Sequence, residues 1–250
     1  MKILSLNCQR GFQAALESFL HQTFENREYN ILLLQEVDDK VFSFLNHSSY
    51  KALRVFNDET EQESQTCIVY RQGYKLIKNG FQSFASMRND PWKGFKHPSF
   101  GIFWVDLSID NEPLRVGSLH LHSGIDRKAR AAELRLAKEL FLKDTYDSAI
   151  LSGDFNAGYP GEVSNMAKIL APELVCESKD IGPTLDSRLS ENLPHLPNRI
   201  AAFLSLLNLR IPLWTDHFFV DSETHRKYKI KCRALPDRVS DHSPVEIVIS

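Results

Sequence analysis

Short apolar runs that stop abruptly at polar residues recur along this chain, and they predict β-strands buried in a core. Residues 2–6 form one such run, which ends at Asn7, and residues 31–34 form another, which leads directly into Gln35 and Glu36. A compact apolar run bounded by polar residues is typical of a buried strand. By the same pattern, strands are predicted over residues 66–70, 74–77, 101–107, 114–121, 148–151, 214–220 and 244–249.

The segments between these runs predict helices and loops. Apolar residues repeating every three or four positions predict helices over residues 12–24 and from 125 or 126 to about 143. Shorter helices are predicted over residues 165–170 and 200–209, and a loop over 180–197. Strands outnumber helices and come in adjacent pairs, which favours two packed sheets with helices outside them over a simple alternation of strands and helices.

Two stretches that contain glycine predict turns. Gln72 and Gly73 separate two of the predicted strands and are expected to close a hairpin between them. The stretch 151–158, with the sequence LSGDFNAG, ends a strand in a glycine and then presents Asp154 and Asn156. Side chains two positions apart on an extended chain point the same way, so this carboxylate and this amide are expected to share one side.

The composition is that of an ordinary globular protein. The chain has 250 residues, of which 42% are hydrophobic and 25% charged, and its formal net charge is −2. No global basic field therefore attracts it to nucleic acid or anionic lipid, although a local basic rim stays compatible with a nucleic-acid substrate. No apolar run approaches the roughly 18 residues that cross a bilayer. Nothing in the sequence points to an obligate protein partner.

The four cysteines, Cys8, Cys67, Cys176 and Cys232, are scattered along the chain and form no C-x-x-C motif. This spacing favours free thiols in a reducing compartment over a disulfide framework. The N-terminus begins with a predicted strand and has neither the apolar core nor the cleavage site of a secretory signal. A cytoplasmic, enzyme-sized domain is therefore expected.

Polar residues of catalytic type lie at or beside the ends of the predicted strands. They are Asn7, Glu36, His120, Asp154, Asn156, Asp216, Asp241 and His242. Carboxylates beside apolar strands are costly unless a cation accompanies them, and oxygen-rich ligands favour Mg²⁺ or Mn²⁺. Zinc fits less well, because neither an H-E-x-x-H motif nor a cysteine cluster is present. A hard cation with carboxylates and histidines suits the attack of water on a phosphate ester.

The same residues carry a family resemblance. The motifs LNCQRG, LLLQEV, SLHLHSG, LSGDFNAG, TDHFFV and VSDHSPV occur in this order between Leu6 and Val245. Together they closely resemble the endonuclease/exonuclease/phosphatase superfamily, which includes deoxyribonucleases, neutral sphingomyelinases and inositol polyphosphate phosphatases. The resemblance implies a single domain over residues 1–250 with an α/β fold. That fold is a four-layer αββα sandwich of two mixed β-sheets flanked by helices, with the site at one edge of the sheets.

The resemblance also implies roles for individual residues. Glu36 matches the family's main metal-ligating glutamate, with Asn7 and Asp241 close to the same ion, which is Mg²⁺ or alternatively Mn²⁺. Asp154 matches the aspartate that orients or deprotonates the attacking water. Asn156 matches the amide that holds the water or a phosphate oxygen.

Two histidines and a further aspartate complete the implied site. His242 matches the histidine at the scissile phosphate, and Asp216 matches the carboxylate that orients it. A buried aspartate in this position fixes the tautomer of the ring and supports its protonated form. His120 matches a second histidine, which would stabilise charge on the phosphoryl oxygens or protonate the leaving group.

Other polar residues near the motifs admit a structural interpretation. Arg127, Lys128 and Arg130 suit phosphate contacts, but a solvated helix start is favoured for them. The segment 88–97 mixes aromatic and cationic residues as a substrate rim does, and a surface loop explains it equally well. His217 is expected to pack in the core, because it alternates away from the site.

The sequence thus predicts a Mg²⁺-dependent phosphoesterase that hydrolyses a phosphodiester by metal-assisted attack of water, with a slight preference for nucleic acid. A lipid or small-molecule phosphodiesterase or phosphatase, sphingomyelinase-like or inositol-phosphatase-like, is the alternative. Inositol polyphosphate phosphatases have arginine after the aspartate that Asp216 matches, and this chain has His217 there. A third hypothesis is a catalytically silent binding module with the same fold.

Overall fold

Two six-stranded β-sheets lie face to face in the protein. The computed structural model describes residues 1–8, 14–26, 28–45, 49–55, 65–84, 100–122, 127–144, 146–158, 160–188, 210–236 and 239–250. The strands are β1 (Lys2–Asn7), β2 (Ile31–Val37), β3 (Tyr50–Arg54), β4 (Gln65–Arg71), β5 (Lys75–Ser83), β6 (Gly101–Ile109), β7 (Glu112–His120), β8 (Ser148–Asp154), β9 (Leu174–Cys176), β10 (Leu185–Arg188), β11 (Arg210–Leu213), β12 (Asp216–Asp221), β13 (Ile230–Ala234) and β14 (Val245–Ile249). The helices are α1 (Ala14–Glu25), α2 (Asp39–Leu45), α3 (Arg127–Phe141), α4 (Pro160–Leu170) and α5 (Ser222–Lys227).

Each six-stranded sheet contains one parallel pair at its centre. The first sheet has the order β13-β14-β1-β2-β4-β3, and the second has the order β5-β6-β7-β8-β12-β9. Strands β1 and β2 are parallel, as are β7 and β8, while the other neighbours are antiparallel. Asn7 at the end of β1 bonds to Asp154 at the end of β8. The two parallel pairs therefore end at the same edge of the sandwich.

Hydrophobic side chains fill three layers and make the predicted four-layer αββα sandwich. Leu20 of α1 and Val41 of α2 pack on the outer face of the first sheet. Leu134 of α3 and Met166 of α4 pack on the outer face of the second. The layer between the sheets includes Ile3, Ile31, Leu33, Ile68, Val105, Val116, Ile150, Phe218 and Ile247. The predicted fold class is confirmed.

The filling between the sheets changes from apolar to polar toward the edge where the parallel pairs end. Along β7, Val116, Ser118 and His120 occupy one face of the strand, and all three are buried. Gln35 of β2 donates from Nε2 to Oγ of Ser118 across the sheets at 2.8 Å. The charged groups at the edge thus rest on a buried polar layer.

Two predictions of secondary structure are wrong. Residues 66–70 and 74–77 do not pair as a hairpin, because β4 pairs with β2 and β3 in the first sheet while β5 pairs with β6 in the second. The turn passes the chain between sheets, since Ile68 and Leu76 both reach the core between them. Within the predicted loop 180–197, β10 pairs with β11.

Two predicted helices are present with bounds that differ by a few residues. The predicted helix 12–24 corresponds to α1 and the predicted helix ending near 143 corresponds to α3. The predicted helix 200–209 and the segment 88–97 lie outside the described residues.

All four cysteines are free, as predicted. None of the described helices is long and apolar enough to cross a membrane.

Candidate active site

The register of the second sheet brings His120, Asp154 and Asp216 side by side at its edge. Parallel strands β7 and β8 pair His120 with Asp154, and β12 runs antiparallel to β8 and pairs Asp216 with Asp154. The ends of two parallel strands and the start of an antiparallel neighbour therefore supply adjacent positions. All three side chains are buried.

One carboxylate oxygen, Oδ2 of Asp154, is the point on which the polar groups converge. Asn7 donates to it from Nδ2 at 2.9 Å. Nε2 of His120 lies 3.7 Å from the same oxygen, and Nε2 of His242 lies 3.8 Å from it. Because these residues belong to both sheets, the packing of the sandwich assembles the group.

Glu36 joins this group through an irregularity in β2. Its Oε1 lies 3.4 Å from Nδ2 of Asn7 and 3.8 Å from Nε2 of His120. The pairing of β2 with β4 shifts register between Leu34 and Val37, and Glu36 has a φ of 54° in the left-handed region. Regular alternation would turn Glu36 to the outer face with Leu34, so the shift redirects its carboxylate. Such strained backbone is typical of functional sites.

Asp154 and Asn156 come together through a turn and not through the extended chain that the sequence predicts. Strand β8 ends at Asp154, whose Oδ1 accepts the backbone N–H of Asn156 at 2.8 Å. Asn156 has a φ of 49°, which asparagine tolerates better than most residues, and its Nδ2 donates to the Leu121 carbonyl at 2.8 Å. The amide is thus fixed beside the carboxylate by the loop after β7.

His242 and Asp216 form a buried pair. Nδ1 of His242 lies 2.8 Å from Oδ2 of Asp216, and Thr215 donates from Oγ1 to the same Oδ2 at 2.8 Å. Thr184 accepts the backbone N–H of Asp216 at 3.0 Å. This supporting role of Thr184 has no signal in the sequence, because a threonine in a predicted loop does not indicate burial beneath a catalytic pair.

Burial and charge set the protonation states of this edge. Burial raises the pKa of Asp154 to about 7, against the attraction of His242. Burial alone would lower the pKa of His242, but the carboxylates of Asp216, Asp154 and Asp241 raise it to about 10. Burial also opposes the ionisation of Asp216, but His242 holds the pKa of that carboxyl below its usual value. At neutral pH, His242 is therefore an imidazolium paired with an ionised Asp216.

Asp241 lies at the rim of the site. Its side chain is 38% exposed, and its Oδ1 lies 3.8 Å from Nε2 of His242. Within the part of the chain that the structure describes, no three His, Cys, Asp or Glu side chains are grouped to hold an ion by themselves. The oxygen donors at this edge are Glu36, Asp154 and Asp241, with the amide of Asn7 among them.

Two residues outside the core of the site behave differently from each other. His217 is buried, with Nε2 lying 3.1 Å from the Trp214 carbonyl, and it packs against Phe155 as the sequence predicts. Arg130 contradicts the expectation of a solvated helix start. Its guanidinium is buried and bonds to Glu162, because α3 and α4 pack together at this point.

Comparison with known proteins identifies the family of the chain. The sequence matches the Endonuclease/Exonuclease/phosphatase family over residues 4–242. The chain belongs to this family. Members of the endonuclease/exonuclease/phosphatase family are typically phosphoesterases, and the resemblance that the motifs indicated is confirmed. No curated protein gives a significant match to the sequence.

Solved structures share the architecture at low sequence identity. TDP2 of D. rerio, complexed with single strand DNA product, has a TM-score of 0.74 and 15% identity, covering 100% of this chain and 98% of that chain. Mannosyl-6-phosphatase of Bacteroides thetaiotaomicron has a TM-score of 0.73 and 17% identity, covering 100% and 99%. A functionally unknown conserved protein from Enterococcus faecalis has a TM-score of 0.71 and 19% identity, covering 100% and 99%. These likenesses show that the fold is shared.

Proposed function

We propose that the protein is a Mg²⁺-dependent phosphoesterase that hydrolyses a phosphodiester by attack of water, with nucleic acid as the favoured substrate. The convergence of Asn7, His120 and His242 on Oδ2 of Asp154 carries this proposal. A buried carboxylate that titrates near neutral pH, with two imidazoles beside it, is equipped to take a proton from water and to stabilise negative charge nearby.

Asp154 acts as the general base. A pKa of about 7 leaves its carboxylate available at neutral pH and basic enough to accept a proton from the attacking water. Asn7 donates to one of its oxygens and the backbone N–H of Asn156 donates to the other. These two bonds fix the plane of the carboxylate, so that little reorganisation accompanies the proton transfer.

His242 and His120 stabilise the charge that develops on the phosphoryl group. Because Asp216 holds Nδ1 of His242, the ring stays protonated at neutral pH and offers its Nε2–H as a donor. Nε2 of His120 lies 3.8 Å from Glu36 and 3.7 Å from Asp154, which places this ring nitrogen beside the proposed base. His120 then donates to a phosphoryl oxygen or to the leaving oxygen.

The donors at this edge fit Mg²⁺, with Mn²⁺ as an alternative. Mg²⁺ is commonly held by one or two carboxylates and keeps several waters, so it needs no cage of protein ligands. Glu36, with Asn7 and Asp241 close by, would hold this ion, which supplies Lewis-acid neutralisation of the phosphate oxygens when bound. The donor set supports the fit, since Glu36, Asp154 and Asp241 bring to this edge the carboxylate oxygens that a hard cation prefers.

A nucleic-acid substrate is supported by the fold shared with D. rerio TDP2, which was solved with single strand DNA product. The net charge of −2 favours local contacts at the site over tight nonspecific binding. A phosphate monoester is the second candidate, because the mannosyl-6-phosphatase of B. thetaiotaomicron shares the fold to a similar degree.

A substrate panel tests the proposal. Purified protein with Mg²⁺, Mn²⁺ or EDTA is given single-stranded DNA, single-stranded RNA, plasmid, sphingomyelin, inositol phosphates and mannose 6-phosphate. We expect metal-dependent cleavage of a nucleic acid at a higher kcat/KM than hydrolysis of the other compounds. Faster hydrolysis of a monoester or a lipid would overturn the substrate class, and no metal-dependent hydrolysis of any compound would support a silent binding module.

We further propose that residues 1–250 act as one catalytic domain in the cytoplasm. The family match over residues 4–242 and the contacts of both sheets with the site support one domain. Four free cysteines support a reducing compartment. Fluorescence microscopy of the tagged protein checks the compartment.

An active enzyme, and not a silent binding module, is also supported by the presence of a suitable side chain at each position to which the resemblance assigns a role.

A further inference from the structure

Two loops adjoin the proposed catalytic residues, and they contact each other. The first site loop, residues 121–122, follows His120, and the second site loop, residues 155–158, follows Asp154. The backbone N–H of Leu121 donates to the Asp154 carbonyl at 2.9 Å, and the Leu121 carbonyl accepts Nδ2 of Asn156 at 2.8 Å. A movement of either loop would therefore displace both His120 and Asp154.

A buried ion pair lies behind these loops. Arg130 of α3 donates to Oε1 of Glu162 of α4 from Nε at 3.0 Å, and Nη2 bonds the same oxygen. The side chains are only 3% and 6% exposed. Buried ion pairs contribute little net stability, because desolvation offsets their attraction and apolar replacements are often as stable. A role in shaping the site explains the pair better than stability does.

The remaining polar atoms of this pair reach both site loops. Oε2 of Glu162 accepts the backbone N–H of Gly158 at 3.0 Å, in the second site loop. Nη1 of Arg130 donates to the His122 carbonyl at 3.5 Å, in the first site loop. Glu133, one turn further along α3, accepts the backbone N–H of His122 at 2.9 Å. The carboxylate thus holds one loop and the guanidinium holds the other.

We propose that Arg130 and Glu162 are positioning residues that hold His120 and Asn156 in their reactive arrangement by clamping the two site loops together. This inference rests on the proposed phosphoesterase function. Asn156 has a left-handed φ of 49°, which asparagine tolerates, and its side chain is held in place by the bond to the Leu121 carbonyl in the first site loop. Gly158, two residues further along the chain, receives one of the clamp bonds. Release of the clamp allows the amide to relax away from Asp154.

Three variants separate positioning from stability. Arg130→Met and Glu162→Met each leave one charge buried without its partner, and the double variant removes both charges. Arg115→Met is the matched control, because Arg115 is also fully buried and bonds Asp106 from Nε and Nη2 at 2.7 Å each. Its Nη1 donates to the Phe141 carbonyl at the opposite end of α3 from the clamp.

The kinetic assay is run where circular dichroism shows every variant folded. We expect kcat of the three clamp variants to fall about ten- to hundredfold with KM nearly unchanged, as loss of a supporting contact does. The double variant should regain thermal stability relative to the single variants without regaining kcat. Arg115→Met should lose stability and keep kcat. Wild-type kcat in the folded double variant, or an equal loss in Arg115→Met, would overturn the clamp.

Amide hydrogen exchange tests the clamp without relying on activity. By NMR, the backbone N–H groups of His122 and Gly158 should exchange faster in the double variant than in the wild type, and at the wild-type rate in Arg115→Met. Unchanged exchange at both amides would overturn the clamp even if kcat falls. A wild type that hydrolyses nothing would overturn the proposed function, while the exchange result would still decide whether the loops are held.

Discussion

Nδ1 of His242 lies 2.8 Å from Oδ2 of Asp216, and both side chains are buried. Asp216 is the first residue of β12 in the second sheet. His242 lies in the segment that precedes β14, which belongs to the first sheet. The contact therefore joins the two sheets at the site. It also gives His242 a fixed charge and a fixed orientation, with Nε2 turned toward Asp154 at 3.8 Å.

Asp216→Asn should therefore weaken catalysis and change its pH dependence. We expect kcat to fall roughly 10²- to 10⁴-fold, because a neutral amide no longer supports the imidazolium. Activity that needs protonated His242 is lost as the pH rises through its pKa, which the wild type holds at about 10. Without the Asp216 charge that pKa falls, so the alkaline limb of the kcat profile moves to lower pH.

Thr215→Val is the control for this change. It removes one donor to Oδ2 of Asp216 but leaves the carboxylate in place. The alkaline limb of the kcat profile should therefore shift less than in Asp216→Asn. An alkaline limb at the same pH in Asp216→Asn as in the wild type would show that His242 does not act as a proton-bearing group.

His217 should make the stability of the fold depend on pH. Burial lowers the pKa of its imidazole from 6.5 to about 4. Between these values the unfolded chain binds the proton more readily than the folded protein does. The stabilising contribution is complete above about pH 6.5, and it is lost as the pH falls to about 4, by about 3 kcal/mol in total.

Urea unfolding at pH 7, 6, 5 and 4.5 measures this contribution. His217→Gln does not titrate, so its free energy of unfolding should fall less steeply over that range, although it is lower at pH 7 because the contacts with Ser178 and Trp214 are lost. Parallel pH dependences in the two proteins would mean that the buried ring does not resist protonation.

Gly153 is the one position in β8 at which even a methyl group should disrupt the site. A Cβ there would lie 1.9 Å from the Leu119 carbonyl oxygen, and the φ of 145° is one that L side chains rarely adopt. We expect Gly153→Ala to lower the free energy of unfolding by about 3 kcal/mol or more and to reduce kcat, because β7 and β8 must separate beside His120 and Asp154.

Gly161→Ala is the matched substitution in α4. No atom lies within 4 Å of a Cβ added there, and alanine favours helix, so the free energy of unfolding should rise by about 0.5–1 kcal/mol. Chemical denaturation of both variants provides the comparison. A Gly153→Ala protein as stable as the wild type would show that β7 and β8 can separate there at little cost.

Mg²⁺ should raise the Tm of the wild type, because an ion that binds only the folded state stabilises it by about 2.7 kcal/mol at 100 times Kd. Glu36→Gln should abolish most of this rise by removing the carboxylate that lies 3.4 Å from Nδ2 of Asn7 and 3.8 Å from Nε2 of His120. Differential scanning fluorimetry of EDTA-treated protein with added Mg²⁺ measures it. Glu173→Gln, which removes a surface charge paired with Lys138, should respond like the wild type. An equal rise in Glu36→Gln would exclude that residue as the main ligand.

The strand ends of the site were predictable because each follows an apolar run. Asn7, His120 and Asp154 end β1, β7 and β8, and parallel pairing in each sheet makes those ends coincide. The placement of Glu36 was not predictable in the same way. Its direction depends on a register shift against β4, which is a property of the partner strand and not of the run that precedes it.

Long-range packing explains the other differences. Arg130 looks solvated in the sequence because its partner, Glu162, lies 32 residues later, on a helix whose packing against α3 no local pattern encodes. The missing hairpin has the same origin. A tight turn at Gln72 and Gly73 is present, but tertiary packing assigns β4 and β5 to different sheets.

The most direct test of the central claim compares wild type and Asp154→Asn for hydrolysis of bis-p-nitrophenyl phosphate with Mg²⁺ at pH 7.5. The isosteric amide keeps the shape of the side chain but cannot accept the proton of the attacking water. We expect Mg²⁺-dependent release of nitrophenolate by the wild type and a loss of roughly 10²- to 10⁴-fold in the variant. Equal rates in the two folded proteins would contradict the account.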